Sequence, residues 1–522
     1  MIKRKKIILN AVILTLSTMM LGFVGMIFRV YLSNKIGAEG MGLFQLIMSI
    51  NIMTSTFAIS GIRVTLTRLV AEELAKGNPV DNIVKKGFVY SLIFSITAAV
   101  LLYNNAEFIS ILFLKDVRAI VPLKILSCSL PFTGICACLN GYFYGARKVT
   151  KSVGADILES CIMIGIILFS INTFSSKDLE YTCSLICLSM SISILISTFY
   201  LYILYIFDRN RIYKVKYCKE KAFTLLHILN ISLPIACSAY IQTSLKTVED
   251  ILIPSKLRQF GSSNSSSLAI FGMVKGMVLP LLVFPSIFLA SFSTLIIPEI
   301  AEANTLNKNK YLNYILSRVI KFTLILAMFA TGLFIVFSTE LSISIYNNHR
   351  LSAIVRILSP LIPLMYLDRI VDGSLNALNQ QMKTLKYNLI DISVKIFMIC
   401  FLIPRYGIEG FFLVLFISTI LNSSLSINRL LKVTKLQFDI LDWVINPILS
   451  IIISCFTVKI LFRVIGISQF IISQIITVAL LYFIFLLLFK CVTKRDISWF
   501  IDGFKQDIKQ IDWNNIRIYK QF

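Results

Sequence analysis

The stretch Lys124–Glu159 reads KILSCSLPFTGICACLNGYFYGARKVTKSVGADILE, and 232 positions later Arg356–Asp391 reads RILSPLIPLMYLDRIVDGSLNALNQQMKTLKYNLID. Both segments place a cation, a Pro, a Gly, a Lys and an acidic residue in the same order, and six of the 36 aligned positions are identical. Each segment reads as an apolar helix, a basic turn and a second apolar helix. Because repeated order of this kind indicates repeated structure, we interpret the chain as two similar halves.

The composition of the 522 residues is typical of a membrane protein. Hydrophobic residues make up 57% of the chain, and the mean hydropathy is +0.81. Runs such as residues 7–32 and 470–489 are long enough to cross a hydrocarbon core of about 30 Å as helices. The predicted fold class is an all-α polytopic membrane protein whose first partner is the lipid bilayer.

Fourteen spans are predicted from hydropathy and turn residues. Basic residues favour the loops that a cytoplasmic N-terminus would place inside: those segments hold 34 of the 51, against nine in the outside loops. This bias accounts for the net charge of +24 better than nucleic-acid binding does, so no nucleic acid is expected as a partner. We expect a multi-pass protein of the cell membrane with both termini cytoplasmic.

The predicted domains follow from this topology. They are an N-lobe of spans 1–6 (residues 1–210), a basic cytoplasmic linker (211–222), a C-lobe of spans 7–12 (223–435), spans 13 and 14 (436–490) and a basic amphipathic cytoplasmic tail (491–522). Because each half contains an even number of spans, the two halves enter the membrane from the same side as parallel six-helix repeats.

No enzyme chemistry is indicated by the residues. The 11 Cys contain no CxxC pair, the two His stand apart from other ligand residues, and there is no GxxxxGK[ST] phosphate loop. No extramembrane segment is large enough for a catalytic domain. We therefore expect no catalytic residues, no metal site and no cofactor.

Ionisable residues inside the spans are the candidate functional residues, because a charge in hydrocarbon usually faces a cavity or a partner. Lys246 with Asp250, and Asp391 with Lys395, have helical i,i+4 spacing and are predicted to form structural ion pairs.

Two cations have no acid nearby in sequence. Arg29 lies in span 1, which contains no Asp or Glu, and Lys275 lies between Gly272 and Gly276, ahead of Pro280. A broken helix around Lys275 would expose it to a central cavity. Cations without matched acids favour an anionic substrate such as a lipid-linked phosphate. We therefore expect Lys275→Ala to reduce function more than Lys459→Ala does.

Five groups of motifs occur in order along the chain: LGFV at residues 21–24 with Arg29, IGAEGMGL at 36–43, SGIR at 60–63 with LVAE at 69–72, FGMVKGM at 271–277, and IPEI at 297–300. These motifs resemble those of the stage V sporulation protein B family, in the polysaccharide branch of the multidrug, oligosaccharidyl-lipid and polysaccharide exporter superfamily. The resemblance implies two six-helix bundles forming a V, with two further helices. It also implies a cationic substrate-binding cavity containing Arg29, Arg63 and Lys275, with Arg369 as a further candidate.

The activity implied by the resemblance is a flippase that moves an undecaprenyl-pyrophosphate-linked saccharide, such as a peptidoglycan precursor for the spore cortex, from the inner to the outer leaflet by alternating access. Enzymes of cell-wall synthesis are the implied protein partners. Alternative hypotheses are a cation-coupled multidrug antiporter of the same superfamily, a membrane-embedded glycosyltransferase, and a non-transporting scaffold for cell-wall enzymes. An antiporter needs a membrane carboxylate, and span 1 has none.

Overall fold

A computed structural model describes residues 2–173, 178–212, 225–436, 438–465 and 471–492, and every regular element in these ranges is helical. This outcome follows from the composition, because a helix satisfies all its backbone hydrogen bonds within one segment and can therefore cross lipid alone. Residues 213–222 of the predicted linker and residues 493–522 of the predicted tail lie outside the described residues.

The spans follow the predicted order. Span 3 is Asp81–Phe108, and a π-helix at Ile109–Leu114 continues it. Seven other spans are each a single uninterrupted helix: Ile120–Gly145 (span 4), Val149–Thr173 (span 5), Leu179–Ile212 (span 6), Leu225–Gln259 (span 7), Asn309–Val336 (span 9), Asn446–Ile465 (span 13) and Ile471–Leu488 (span 14). Span 10 is built from Leu351–Leu358 and Ile362–Ala377, joined by a short 3₁₀ turn. The short helices Ile62–Ala75 and Ser338–Tyr346 follow spans 2 and 9.

Two long helices each contain two spans. Ile2–Ile59 is interrupted at Gly37 (φ 69°) and Gln381–Thr434 at Gly407 (φ 56°), conformations that glycine adopts without steric cost. Twelve helical stretches among the described residues are long and apolar enough to cross a membrane, and two of them, Ile13–Ala75 and Gln381–Thr434, have 63 and 54 residues. Since about 20 residues suffice for one crossing, each of these two is long enough to cross twice, which agrees with the fourteen predicted spans.

Span 8 is broken, as the sequence predicts. It consists of Asn264–Phe271, a π-helix at Gly272–Val278, and Leu279–Val283, followed after an interruption by Ser286–Thr305. The interruption comes at Pro285, whose ring leaves no N–H for the helical ladder.

The described residues form two compact units. The first contains residues 17–280 and 388–418, and the second contains Met1–Leu16, Leu281–Tyr387 and Thr419–Phe522 as far as these segments are described. Spans 7 and 11 and the first part of span 8 thus pack with spans 1–6. The division into an N-lobe and a C-lobe at residues 211–222 stays a prediction.

The duplicated segments have matching local structures. Each is a helix, a turn with one residue in the left-handed region (Arg147 in one, Asn379 in the other) and a second helix. Gly141 and Gly373 also correspond. A Cβ on Gly141 would lie 2.8 Å from a carbonyl oxygen of the helix that follows span 2, and one on Gly373 would lie 3.2 Å from Ile297 in span 8. In each unit, therefore, the repeat glycine lets neighbouring helices approach closely.

Spans 13 and 14 pack within the second unit. Tyr482 of span 14 is buried, and its hydroxyl donates to the carbonyl oxygen of Ile325 in span 9 at 2.9 Å. Gly332 in span 9 lies against Ile451 of span 13, where an added Cβ would come within 2.2 Å of that side chain. The two additional spans are therefore an integral part of this unit.

Candidate functional site

Lys275 lies in the π-helical part of span 8, where two glycines bring this helix against span 2. A Cβ on Gly272 would lie 2.1 Å from the carbonyl oxygen of Ala38, and one on Gly276 would lie 3.3 Å from the Met41 side chain. A π-helix widens the turn locally and redirects the side chains it carries. The GMVKG sequence thus fixes both the close packing and the direction of the Lys275 side chain.

Lys275 is held by two carboxylates of span 7. Its Nζ lies 2.7 Å from Glu249 Oε1 and 3.1 Å from Asp250 Oδ1, and the exposed fractions of the three side chains are 15%, 3% and 6%. The expectation that Lys275 has no acidic neighbour is therefore wrong. Its partners lie about 25 positions earlier in the chain, and only the packing of spans 7 and 8 brings them together.

The pair extends to span 11. Lys395 Nζ lies 3.5 Å from Glu249 Oε2 and 3.3 Å from Asp391 Oδ2. We call the five residues Lys275, Lys395, Glu249, Asp250 and Asp391 the Lys275 ion network. Two hydroxyl groups complete it: the serine at position 49 donates to Asp250 and the serine at position 418 donates to Asp391, both at 2.6 Å. With two ammonium groups and three carboxylates, the formal charge of the network is −1 rather than positive.

The network lies deep within the spans that carry it, as a count of residues from their ends shows. Glu249 is ten residues before the end of Leu225–Gln259, and Lys275 is eleven residues after the start of Asn264–Phe271. At about 1.5 Å per residue, both lie roughly 15–17 Å along the helices from the same end of the spans, well away from the connecting loop. Charges at this depth are costly unless they are paired, and here they are.

The predicted structural pairs have different outcomes. Asp391 and Lys395 form the predicted i,i+4 ion pair. The predicted ion pair of Lys246 with Asp250 does not form: Lys246 is exposed, and Asp250 contacts Lys275 instead. A helical spacing shows that two side chains can meet, but a closer partner on another helix decides which pair forms.

Arg63 and Arg29 also belong to the first unit. Arg63 is exposed at the end of span 2, and its guanidinium carbon lies 5.0 Å from the ring centre of Tyr144. Arg29 is half-buried in span 1. Arg63 thus lies against Tyr144, whereas Lys275 lies against Glu249 and Asp250. Substrate binding by Arg29, Arg63 and Lys275 stays a prediction.

Arg369 belongs to the second unit and is exposed on span 10. Its Nη1 donates to Ser286 Oγ at 3.0 Å, at the start of the second part of span 8. Asp368 accepts a hydrogen bond of 2.8 Å from Asn422, and the next acidic residue of span 10 accepts one of 3.3 Å from Ser426. These acids are directed toward span 12, and substrate binding by Arg369 also stays a prediction.

The sequence reasoning missed Glu249, which contacts both lysines of the network and is almost completely buried. The sequence feature that could have identified Glu249 is its position next to Asp250 in an apolar helix. Among the residues that the structure describes, no group of three His, Cys, Asp or Glu side chains is arranged to hold a metal ion. The carboxylates of the network are matched with lysines instead.

Comparison with known proteins supports a relationship along most of the chain. Residues 7–261 match the family described as polysaccharide biosynthesis protein. Stage V sporulation protein B of Bacillus subtilis (strain 168) is 25% identical over 445 residues, covering 84% of this chain and 85% of that protein. Sporulation protein YkvU of the same organism is 22% identical over 284 residues, covering 53% of this chain and 61% of that protein.

Solved structures share the fold. The lipid II flippase MurJ in an inward closed conformation has a TM-score of 0.67 at 19% identity, covering 92% of this chain and 98% of that one. An inward-facing multidrug resistance MATE family transporter of the MOP superfamily has a TM-score of 0.61 at 14% identity, covering 81% of this chain and 98% of that one. Taken with the motifs in spans 1, 2 and 8, these comparisons show that the chain is similar to stage V sporulation protein B along most of its length and shares the fold of the MurJ and MATE transporter structures.

Proposed function

We propose that this protein is a flippase for an undecaprenyl-pyrophosphate-linked saccharide, such as a peptidoglycan precursor for the spore cortex, which it moves from the inner to the outer leaflet of the cell membrane by alternating access. The observation that carries this proposal is the similarity to stage V sporulation protein B over more than four fifths of both chains. Cell-wall synthesis enzymes that supply or consume the saccharide are the proposed protein partners.

The extent of the structural similarity favours a flippase over a multidrug antiporter. The MurJ structure covers 92% of this chain, whereas the MATE structures cover 81–83%. The difference, about a tenth of the chain, is close to the length of residues 436–490, which form spans 13 and 14. A substrate with a long lipid tail gives a reason for helices beyond the twelve of the two repeats.

The three carboxylates of the Lys275 ion network are poor candidates for the exchanging group of an antiporter. An antiporter of cationic drugs needs a carboxylate that can exchange its partner for Na⁺ or H⁺. Glu249 and Asp250 in span 7 are buried and already contact the ammonium group of Lys275, and Asp391 in span 11 contacts Lys395. The proposed role of the Lys275 ion network is to hold spans 7, 8 and 11 together.

Arg63 is the proposed contact for the pyrophosphate in the first unit. It is exposed, it stands at the predicted cytoplasmic end of span 2, and its guanidinium lies over the ring of Tyr144. A guanidinium can form two parallel hydrogen bonds with a phosphate group. Hydrogen bonds to charged groups contribute about 1.5–3 kcal/mol, so losing this contact should weaken binding roughly tenfold to a hundredfold.

The proposal is tested with the full-length protein in liposomes that contain a fluorescent lipid-linked saccharide. A membrane-impermeant quencher reports the fraction of the lipid in the outer leaflet. We expect faster translocation than in protein-free vesicles, a loss of about tenfold or more for Arg63→Ala, and no loss for Lys310→Ala, which removes an exposed cation from the start of span 9. Translocation no faster than in protein-free vesicles, in either lipid orientation, would support the scaffold hypothesis. Efflux of cationic drugs from the same liposomes would support the antiporter.

A further inference from the structure

A groove in the first unit lies between spans 3, 4 and 6, away from the Lys275 ion network. Its volume is about 430 Å³, within the range of about 300–1,000 Å³ that is common for small-ligand sites. Its wall is mostly apolar and includes Phe88 and Leu92 of span 3, Phe132 of span 4 and Phe199 of span 6. Phe199 is 55% exposed on a membrane-spanning helix, so the groove opens toward the acyl chains of the bilayer.

One end of the groove carries two cations, Lys85 and Arg209. Arg209 Nε is held 2.8 Å from Asp81 Oδ2, and the other oxygen of Asp81 accepts a hydrogen bond of 3.2 Å from Tyr205. Asp81 is 6% exposed, so its carboxylate interacts with these two side chains rather than with solvent. Lys85 is exposed and has no hydrogen-bond or ion-pair partner among the described residues. The groove therefore combines an apolar wall with a positive rim.

The rim lies at the same end of spans 3 and 6. Lys85 is four residues after the start of Asp81–Phe108, and Arg209 is three residues before the end of Leu179–Ile212. Phe199 lies ten residues deeper than Arg209, which is about 15 Å along a helix and equals about half of the hydrocarbon core. The basic loops predict that this end faces the cytoplasm. The groove thus has the depth of one leaflet.

We propose that the groove between spans 3, 4 and 6 binds an anionic phospholipid of the cytoplasmic leaflet. The phosphate lies against Lys85 and Arg209, and one acyl chain lies along Phe88, Leu92 and Phe199. A zwitterionic phospholipid supplies the same acyl chain but no net charge for the rim. Basic pockets between transmembrane helices on the cytoplasmic side bind anionic headgroups by this combination of charge and depth.

Native mass spectrometry of the delipidated full-length protein tests the proposal. Phosphatidylglycerol and phosphatidylcholine with identical acyl chains are the probes. We expect tighter binding of phosphatidylglycerol to wild type. For Lys85→Gln we expect about fivefold weaker binding, since one cation near an anionic headgroup contributes about 1 kcal/mol. Lys310→Gln is the matched control, because it removes an exposed cation that does not line the groove.

A second variant tests the apolar wall. Leu92→Trp places an indole in the groove and should abolish the preference for phosphatidylglycerol while the thermal unfolding midpoint stays at the wild-type value. A photoreactive acyl chain should label span 6 in wild type and not in this variant.

Four results would each overturn the proposal. The first three are equal affinity for the two phospholipids, equal loss in Lys85→Gln and Lys310→Gln, and labelling of span 6 that Leu92→Trp leaves unchanged. Complete displacement of phosphatidylglycerol by equimolar undecaprenyl phosphate would also overturn it, since the groove would then belong to the substrate path. None of these measurements depends on transport, so the result is independent of the proposed flippase activity.

Discussion

Replacing Lys275 by methionine should destabilise the protein strongly, because it leaves two buried carboxylates without their closest cation. Lys275 is 15% exposed and lies 2.7 Å from Glu249 and 3.1 Å from Asp250, which are 3% and 6% exposed. Removing one partner of a buried ion pair costs about 3–5 kcal/mol, since the remaining charge is not solvated. Lys395, 3.5 Å from Glu249, offsets part of this cost.

Lys459→Met is the matched control. Lys459 lies 3.7 Å from Glu340, and the exposed fractions of the two side chains are 47% and 36%. Pairs with this exposure contribute about 0–1 kcal/mol. The same chemical change is therefore expected to cost several kilocalories per mole at position 275 and almost nothing at position 459.

A compensating double variant distinguishes the loss of charge balance in the ion network from the loss of the Lys275 side chain itself. Lys275→Met combined with Asp250→Asn returns the formal charge of the network to −1 and leaves Glu249 and Asp391 both beside Lys395. We expect this double variant to be more stable than Lys275→Met alone, with a coupling energy of about 0.5–3 kcal/mol.

The assay is thermal unfolding of the purified protein in detergent, followed with a thiol-reactive fluorophore that labels buried cysteines as they become accessible. Cys138 and Cys187 are 0% exposed and suit this purpose. The expected order of midpoints is wild type and Lys459→Met highest, the double variant next, and Lys275→Met lowest. A midpoint for Lys275→Met equal to that of Lys459→Met would refute the ion-network assignment. A wild-type midpoint combined with lost translocation would instead place Lys275 in substrate binding.

Three further predictions test the packing, the substrate contact and the topology. Gly272→Ala should lower the unfolding midpoint, because the added Cβ would lie 2.1 Å from a carbonyl oxygen of span 2. Gly165→Ala is the control, since no atom lies within 4 Å of its added Cβ, and it should leave the midpoint unchanged or raise it. Equal midpoints for the two variants would contradict the close approach of spans 2 and 8. Arg63→Lys should retain part of the translocation lost in Arg63→Ala, because it keeps the charge but not the bidentate geometry; identical rates for the two variants would argue against a phosphate contact. In intact cells, an impermeant thiol reagent should label Ser263→Cys and not Lys308→Cys, and the opposite result would reverse the predicted orientation.

Fourteen spans were predictable because the period and length of apolar runs are local properties. The break in span 8 was predictable for the same reason, since Gly272, Gly276 and Pro285 act on the backbone where they stand. The i,i+4 pair of Asp391 with Lys395 also formed as expected, because both residues belong to one helix.

The amino-acid sequence by itself determined the membrane class, the number of spans, the duplicated helix–turn–helix segments and the position of the break near Lys275. Only the tertiary structure decided that Lys275 faces Glu249 and Asp250, that Asp250 therefore does not pair with Lys246, and that the charge of the network is negative. The physical reason is that the direction and partner of a charged side chain in the membrane depend on which helices pack together. Neither hydropathy nor spacing within one helix contains that information.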